Sequence, residues 1–235
     1  MLINRNFSRL AGNRWAIISL IVGVLISATA SLVMAYFNRQ HADQATTAAA
    51  EATADAVVSR LKLYQYGLRG ARGAVQTMGE TAIGREVFDR YSGTRNVAEE
   101  FPGALGFGFI RRVARQDEPR FLARAQADGW PDFTIRELAP HEGERYVIQY
   151  ISEVERNKAA VGLDIASEYN RRQAALSAMR SGEVRLTGPI TLVQKTGQPL
   201  QSFLILMPIY RDGVTPNTAE AREAQAAQAL TAARR

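Results

Sequence analysis

The sequence predicts an α+β protein in which a membrane-spanning helix and a long stalk helix precede a domain built on an antiparallel sheet. Three observations predict this fold class. Residues 15–37 carry no charged side chain, residues 38–80 are alanine-rich and lack proline, and residues 97–212 alternate apolar runs with short helical segments. A curved antiparallel sheet with a helix lying across it is the simplest structure that buries the last pattern.

Composition limits the classes of function that the chain can have. Its 235 residues, 46% of them hydrophobic, suffice for one sizeable domain and additional helices. The absence of cysteine excludes disulfide scaffolds, cysteine metal sites and thiol nucleophiles. The net charge is +6, but the basic residues are mixed with acids and form no stripe interleaved with aromatics. We therefore expect no nucleic-acid partner.

Residues 15–37 have the length and composition of a membrane anchor. At about 1.5 Å per residue the segment spans about 34 Å, and Trp15 and Tyr36 stand at its two ends as interfacial anchors. Residues 1–14 contain three arginines and no acid, which places them in the cytoplasm. We expect a single-pass protein of the bacterial inner membrane whose C-terminal part lies in the periplasm.

A cleaved signal peptide is the alternative interpretation of this segment. Ala28-Thr29-Ala30 resembles a cleavage site, although the apolar stretch is longer than the 7–15 residues that are usual in signal peptides. Cleavage would make the chain a secreted binding protein, and N-terminal sequencing of the mature protein separates the two interpretations.

The stalk, residues 38–96, carries a heptad-like stripe in its first part. Small or apolar residues recur there in steps of three and four. They are Thr47, Ala50, Ala54, Val57, Leu61, Tyr64, Leu68, Ala71, Val75 and Met78. The stripe is buried either by pairing with a second copy, as a homodimer, or by packing against the chain's own domain; both can hold along one helix.

The remaining elements follow from apolar periodicity and from glycine and proline positions. Strands are predicted at 105–113, 133–138, 146–151, 186–193 and 202–210, and helices at 81–91, 117–128 and 171–179. Residues 211–235 form a turn followed by an alanine-rich helical segment.

Four residues of the globular part are candidates for contact with a small ligand. Asp164 ends an apolar run just before a predicted helix, Leu186 and Thr187 lie in VRLTGP, and Thr196 lies in the following loop. Together they offer one acid, an apolar wall and hydroxyls, the sparse polar lining typical of small-molecule pockets. The alternative for Asp164 is a capping role, which Ser167 could also fill.

Signals of catalysis are weak. The two histidines, His41 and His141, have no metal-site spacing, and the sequence contains no GxSxG elbow, phosphate-binding Gly-Lys loop or HExxH motif. We therefore expect no enzymatic activity, no metal ligands and no cofactor within this chain.

Several separated segments resemble the CHASE domain, the extracellular sensory module of receptor kinases and cyclases. These are YVIQYISEVERNKAAVGLDIASEYNRRQAALSAMRSGE, VRLTGPITLV, LILMPIYR and, upstream, FPGALGFGFIRRV and LRGARGAV, within residues 60–212. The resemblance implies a PAS-like sheet and a second lobe, of which residues 213–235 would be the truncated start. It also implies an output domain absent from this chain, either a histidine kinase of a two-component system or a cyclic-dinucleotide enzyme. In the cytokinin receptors of this family, residues matching Asp164, Leu186 and Thr196 line the ligand pocket.

Residues and resemblance together predict a domain order: 1–14 cytoplasmic, 15–37 transmembrane, 38–96 stalk, 97–212 sensory domain and 213–235 tail. The predicted function is periplasmic sensing of a small molecule, transmitted through a dimeric stalk. The alternative is a membrane-anchored protein-interaction domain without a small ligand. A cavity of several hundred Å³ near Asp164 favours sensing, and a filled core there favours the alternative.

Overall fold

The computed structural model describes residues 4–79, 83–191, 201–211 and 213–234. The chain divides into two compact units, Met1–Ser59 and Arg60–Arg235. Helix α1 (Asn4–Met78) contributes to both. Within the first unit the described residues are all helical, and the apolar side chains of the charge-free segment are exposed, as at Leu20 and Leu32. By length and composition, α1 can cross a membrane.

The second unit is built on an antiparallel sheet. After α1 the elements are α2 (Arg85–Gly93), α3 (Val97–Glu100), β1 (Ala104–Val113), α4 (Glu118–Ala127), β2 (Arg145–Ile151), α5 (Val154–Asn157), α6 (Tyr169–Ser181), β3 (Arg185–Leu186), β4 (Ile190–Thr191), β5 (Gln201–Tyr210), α7 (Ala219–Gln225) and β6 (Ala226–Arg234). The strand order is β2-β1-β6-β5-β3, with β4 also paired to β5. The predicted α+β class, a long helix followed by an antiparallel-sheet domain, is confirmed.

Strand β5 shows that both faces of the sheet are covered. Leu204 and Leu206 are buried in one apolar cluster, which includes residues of α6. Ile205, Met207 and Ile209 alternate with them and are buried in a second cluster, which includes residues of α1. Because neither face is open to water here, the sequence of β5 is apolar at consecutive positions and does not alternate between apolar and polar residues.

The second half of the heptad-like stripe packs against the chain's own sheet. Tyr64, Leu68, Ala71 and Val75 are buried in the second cluster. Of the two alternatives for burying the stripe, packing against the chain's own domain is thus the one that holds for these four residues. Val57, in the first half of the stripe, is exposed. The stalk is not one helix throughout, because α1 ends at Met78 and α2 begins at Arg85.

Gly67 lies directly against the Phe101 ring. A Cβ at residue 67 would lie 2.3 Å from Phe101 Cζ, far inside van der Waals contact. A residue without a side chain is therefore needed there. Beside it, the Tyr64 hydroxyl donates to the carbonyl of Pro102 at 2.5 Å, which fixes the start of the loop into β1.

Two of the predicted strands differ in the structure. Residues 133–138 form only an isolated bridge between Arg136 and Leu163, so the prediction of a strand is wrong. Phe133 is buried, and its alternation with Ile135 reflects packing onto the core without sheet pairing. The run predicted at 186–193 is split into β3 and β4, and residues 192–193 lie outside the described residues.

The C-terminal tail differs most from the prediction. We predicted a helical segment in residues 211–235, and only α7 is helical, because residues 226–234 form β6. This strand lies between β1 and β5 and pairs with both. The hydrogen-bonding groups of two neighbouring strands thus override the helix propensity of an alanine-rich sequence. The segment belongs to the sheet, in place of the helical tail that we expected.

Candidate functional site

Asp164 is fully buried and all its hydrogen bonds are internal. Its Oδ1 accepts from the backbone N–H of Tyr146 at 2.9 Å and of Ala166 at 3.0 Å. Its Oδ2 lies 2.7 Å from His141 Nε2 and 3.3 Å from an Arg145 Nη. The bond to Ala166 caps the 3-10 helix Ile165–Ser167. The helix that we expected Asp164 or Ser167 to cap, α6, is instead capped by the Glu168 carboxylate. Ligand contact by Asp164 stays a prediction.

Acids and bases fill the space around Asp164. The Arg145 guanidinium contacts Glu137 and lies 2.7 Å from Glu118 Oε1. Candidate metal-ligand atoms of Glu137, His141 and Asp164 lie within 4.8 Å of one another. Arg145 already supplies positive charge to this group, so the arrangement is that of an ion-pair network in which Asp164 is buried and its partners are partly exposed.

The other predicted ligand residues lie elsewhere in the sheet. Leu186 is exposed in β3, and Thr187, just after it, is buried. The Thr187 hydroxyl accepts from the backbone N–H of Leu204 at 3.0 Å and thereby extends the pairing with β5. Asp164 bridges to β2, at the opposite end of the strand order from β3. Thr196 lies outside the described residues.

An open cleft of about 630 Å³ lies beside β1, β2 and α4. This volume is within the range of small-molecule sites. Its charged lining comprises Arg111, Arg112, Arg120, Arg124, Asp117 and Asp128, and Gln149 and Tyr150 are its buried polar residues. The lining is therefore mainly basic, with four arginines against two aspartates.

The arginines of the cleft differ in what they contact. Arg112 pairs with Glu144 at 2.7 Å, and Arg111 Nε donates to Gln149 Oε1 at 3.0 Å. Arg120 and Arg124 are exposed, and within the described part of the chain their side chains form no ion pair or hydrogen bond. These two guanidinium groups are thus available to a ligand.

Asp128 joins the cleft to the start of α2. Its two carboxylate oxygens accept from the backbone N–H of Arg85 at 3.1 and 3.0 Å. Gly84, the residue before α2, has no side chain for this purpose, so Asp128 caps the helix from another element. A Cβ at residue 84 would lie 2.9 Å from Asp128 Oδ1, and the absence of that atom permits the approach.

Tyr150 completes this network. Its hydroxyl accepts from Gln149 Nε2 at 2.9 Å and donates to Asp128, and the carbonyl of Ile83 is 3.2 Å away. Burial raises the pKa of Tyr150 well above its ordinary value, and the hydrogen bond to Asp128 raises it further. The phenol therefore remains a protonated donor at alkaline pH values where an exposed tyrosine has already lost its proton.

Sequence reasoning missed this cleft. One available signal was the spacing of Arg120 and Arg124, four residues apart on one predicted helix, which places both on the same face. The partners contributed by β1 and β2 had no comparable local signal, because the fold alone brings them to α4.

Comparison with known families agrees with this architecture. The CHASE domain family matches residues 81–233, which include α2, strands β1 to β5 and all but the last residue of β6. No curated protein matches the chain. CHASE domains are extracellular sensory domains of receptors and are not themselves catalytic. The match covers more than half of the chain, and the chain therefore belongs to the CHASE domain family.

Proposed function

We propose that this chain is the ligand-sensing part of a single-pass receptor of the bacterial inner membrane. Residues 1–14 lie in the cytoplasm, and the CHASE domain, PAS-like in architecture, lies in the periplasm. Two copies pair through their stalks and pass the signal to an output domain outside this chain, a two-component histidine kinase or a cyclic-dinucleotide enzyme. Residues 1–235 themselves bind a small molecule and catalyse no reaction.

One observation carries this proposal. Helix α1 contains the charge-free segment of residues 15–37, and the same helix buries Tyr64, Leu68 and Val75 against the sheet of the CHASE domain. A ligand that favours one packing of this sheet would thereby favour one position of the helix. Packed helices change position in discrete steps, which suits them to carry a two-state signal.

The dimeric stalk is tested by disulfide crosslinking, for which the absence of cysteine in the sequence is an advantage. Ala54→Cys and Val57→Cys lie on the exposed half of the stripe, and Ala52→Cys lies on the opposite face of α1 as the matched control. We expect crosslinked dimers at residues 54 and 57 and few at residue 52. Equal crosslinking at all three positions would contradict the paired stalk.

Membrane orientation is tested with a maleimide that does not cross the inner membrane. In cells with a permeabilised outer membrane, Glu155→Cys in the exposed α5 segment should be labelled, and Ser8→Cys should be labelled only after lysis. The opposite labelling pattern would overturn the orientation. Release of the domain into the medium would indicate the cleaved signal peptide.

Sensing is tested by a thermal-unfolding screen of the full chain in detergent against small metabolites. A ligand that binds only the folded state raises the melting temperature, and a true signal also changes the crosslinking rate of Ala54→Cys. If hits shift the melting temperature but never change crosslinking, transmission through the stalk is wrong. A folded chain that no compound stabilises contradicts sensing itself.

The proposal includes ligand contact by four residues, and this part is tested with a separate variant. The residues are Asp164, Leu186, Thr187 and Thr196. Leu186 is exposed, so Leu186→Ala removes an apolar contact surface without disturbing the ion-pair network around Asp164. If a hit binds at the predicted group, this variant should weaken it, and the exposed Leu138→Ala is the control.

A membrane-anchored protein-interaction domain is the second candidate. The observation that favours it is the filled surroundings of Asp164, where His141, Arg145 and Glu137 occupy the space predicted for a ligand. The cleft of about 630 Å³ beside α4 favours sensing.

A further inference from the structure

We infer that the cleft beside α4 is a binding site for a small organic anion whose carboxylate or phosphate groups contact the guanidinium groups of Arg111, Arg120 and Arg124. The inference supplies the ligand class of the proposed sensing function and rests on that function for its biological meaning. It places the ligand away from the residues around Asp164 that the sequence suggested.

The charge distribution carries the inference. Arg120 and Arg124 stand one helical turn apart on α4, both exposed, with no carboxylate pairing them within the described part of the chain. Like charges that line one concave space raise the local potential, and a bound anion lowers it. Guanidinium groups offer paired N–H donors that match the two oxygens of a carboxylate or phosphate.

The third guanidinium is held in place before any ligand arrives. Arg111 Nε donates to Gln149, its guanidinium carbon lies 5.1 Å from the centre of the Phe109 ring, and Gln149 in turn donates to Tyr150. Gln149 and Tyr150 are almost completely buried. A side chain fixed in this way loses little conformational freedom on binding, which favours affinity.

The cleft also contacts the connection between α1 and α2. Ile83 and Gly84 belong to its lining, and the Ile83 carbonyl lies 3.2 Å from the Tyr150 hydroxyl. An anion held by α4 and β1 therefore lies against the segment that continues from the stalk helix. Ile83 is also buried in the second apolar cluster together with Val75 of α1. Binding there can therefore act on α1 through this packing, without rearrangement of the network at Asp164.

The test measures binding to the full chain in detergent by calorimetry at constant ionic strength. The probes are succinate, citrate, inorganic phosphate and glycerol phosphate, with uncharged succinamide as the neutral comparison. The variant is Arg120→Gln with Arg124→Gln, and the matched control is Arg90→Gln with Arg156→Gln, which removes the same charge from exposed positions outside the cleft. Circular dichroism verifies that each variant is folded.

We expect at least one anion to bind and succinamide not to bind. The double cleft variant should weaken that binding about tenfold or more, and the control should leave it unchanged. Replacing both arginines with lysine should restore part of the affinity, because charge returns without the paired donors. Preference for the carboxylates or for the phosphates identifies which group the ligand carries.

Two results would overturn the inference. The first is the absence of binding by all four anions at millimolar concentration. The second is anion binding that survives the double cleft variant. In either case the sensing function can still stand, because a hit from the metabolite screen that depends on Leu186 and not on Arg120 and Arg124 would place the ligand at the other site.

Discussion

Tyr150 in β2 donates a hydrogen bond to the Asp128 carboxylate, which follows α4 and caps α2. Arg85, the first residue of α2, completes the contact: its side chain donates to the Asp128 carbonyl at 3.2 Å and lies over the Trp130 ring at 4.6 Å. One partly buried carboxylate group thus ties a strand, a helix start and a helix end together at the edge of the cleft.

The Tyr150 hydroxyl should make stability fall at alkaline pH. Its pKa is held above the ordinary value of 10.0 in the folded state, so above that pH the unfolded state loses a proton that the folded state keeps. The free energy of unfolding should therefore decrease from about pH 10 upward, by about 1.4 kcal/mol per pH unit for one such group.

Comparison of wild type with Tyr150→Phe isolates this contribution in chemical denaturation between pH 8 and pH 11. The variant should show a shallower alkaline decline, although burial also raises the pKa values of Tyr91, Tyr146 and Tyr210, which remain. Tyr66→Phe removes an exposed hydroxyl and is the control. Identical alkaline slopes in wild type and Tyr150→Phe would show that this hydroxyl does not stay protonated.

Two glycines of α1 should respond in opposite directions to the same substitution. Gly67→Ala forces the Phe101 ring to move, and overpacking of this kind lowers the free energy of unfolding by about 1–3 kcal/mol. This loss should exceed the stabilisation that comes from the higher helix propensity of alanine. At Gly73 a Cβ would meet no atom within 4 Å, so Gly73→Ala should raise the free energy of unfolding by up to about 1 kcal/mol. Urea denaturation measures both, and a change of the same sign in both variants would refute the close contact at Gly67.

The network at Asp164 should be needed for stability without any ligand. Asp164→Asn keeps the shape but removes the charge that faces Arg145 and His141, which should cost about 2–3 kcal/mol. Asp132→Asn changes an exposed acid and should be nearly neutral. A fully stable Asp164→Asn variant that had lost affinity for a ligand would instead support the pocket that we predicted from the sequence.

Proline substitutions test the central position of β6. Residue 232 pairs with Phe107 on one side and Ile205 on the other, so Ala232→Pro removes a ladder donor from an interior strand and should abolish cooperative unfolding. Ala219→Pro falls at the first position of α7, where proline is tolerated, and should remain folded. Cooperative thermal unfolding of Ala232→Pro, close to that of wild type, would show that β6 is dispensable.

Local pattern was sufficient where burial is uniform along a segment. The segments that form β1, β2 and β5 are apolar enough to be recognised as strands without knowledge of their neighbours. The charge-free segment of α1 is recognised by its length and its lack of charge. The stripe of α1 was also recognised, but its partner was not, because Leu68 is buried equally well by a second helix or by a sheet.

Long-range pairing accounts for what sequence reasoning missed. Residues 226–234 have helix-favouring composition, and only the open positions beside β1 and β5 make them a strand. At the candidate site, Asp164 was recognised as an acid that could line a pocket or cap a helix, but His141 and Arg145 lie about twenty residues upstream with no motif linking them. Composition cannot distinguish a carboxylate saturated by its own chain from one that awaits a ligand.

The position of β6 has a consequence for the order in which the domain is made. Its partner β1 leaves the ribosome more than a hundred residues earlier, as the pairing of Gly108 with Thr231 shows. In the strand order, β6 alone joins the β2-β1 pair to the group of β3, β4 and β5, so before β6 is in place each group has an edge without its strand partner, and such edges favour association with other chains. Such distant pairing folds slowly, so closure of the sheet should follow translation of residue 234, and chaperones that shield strand edges should act before it.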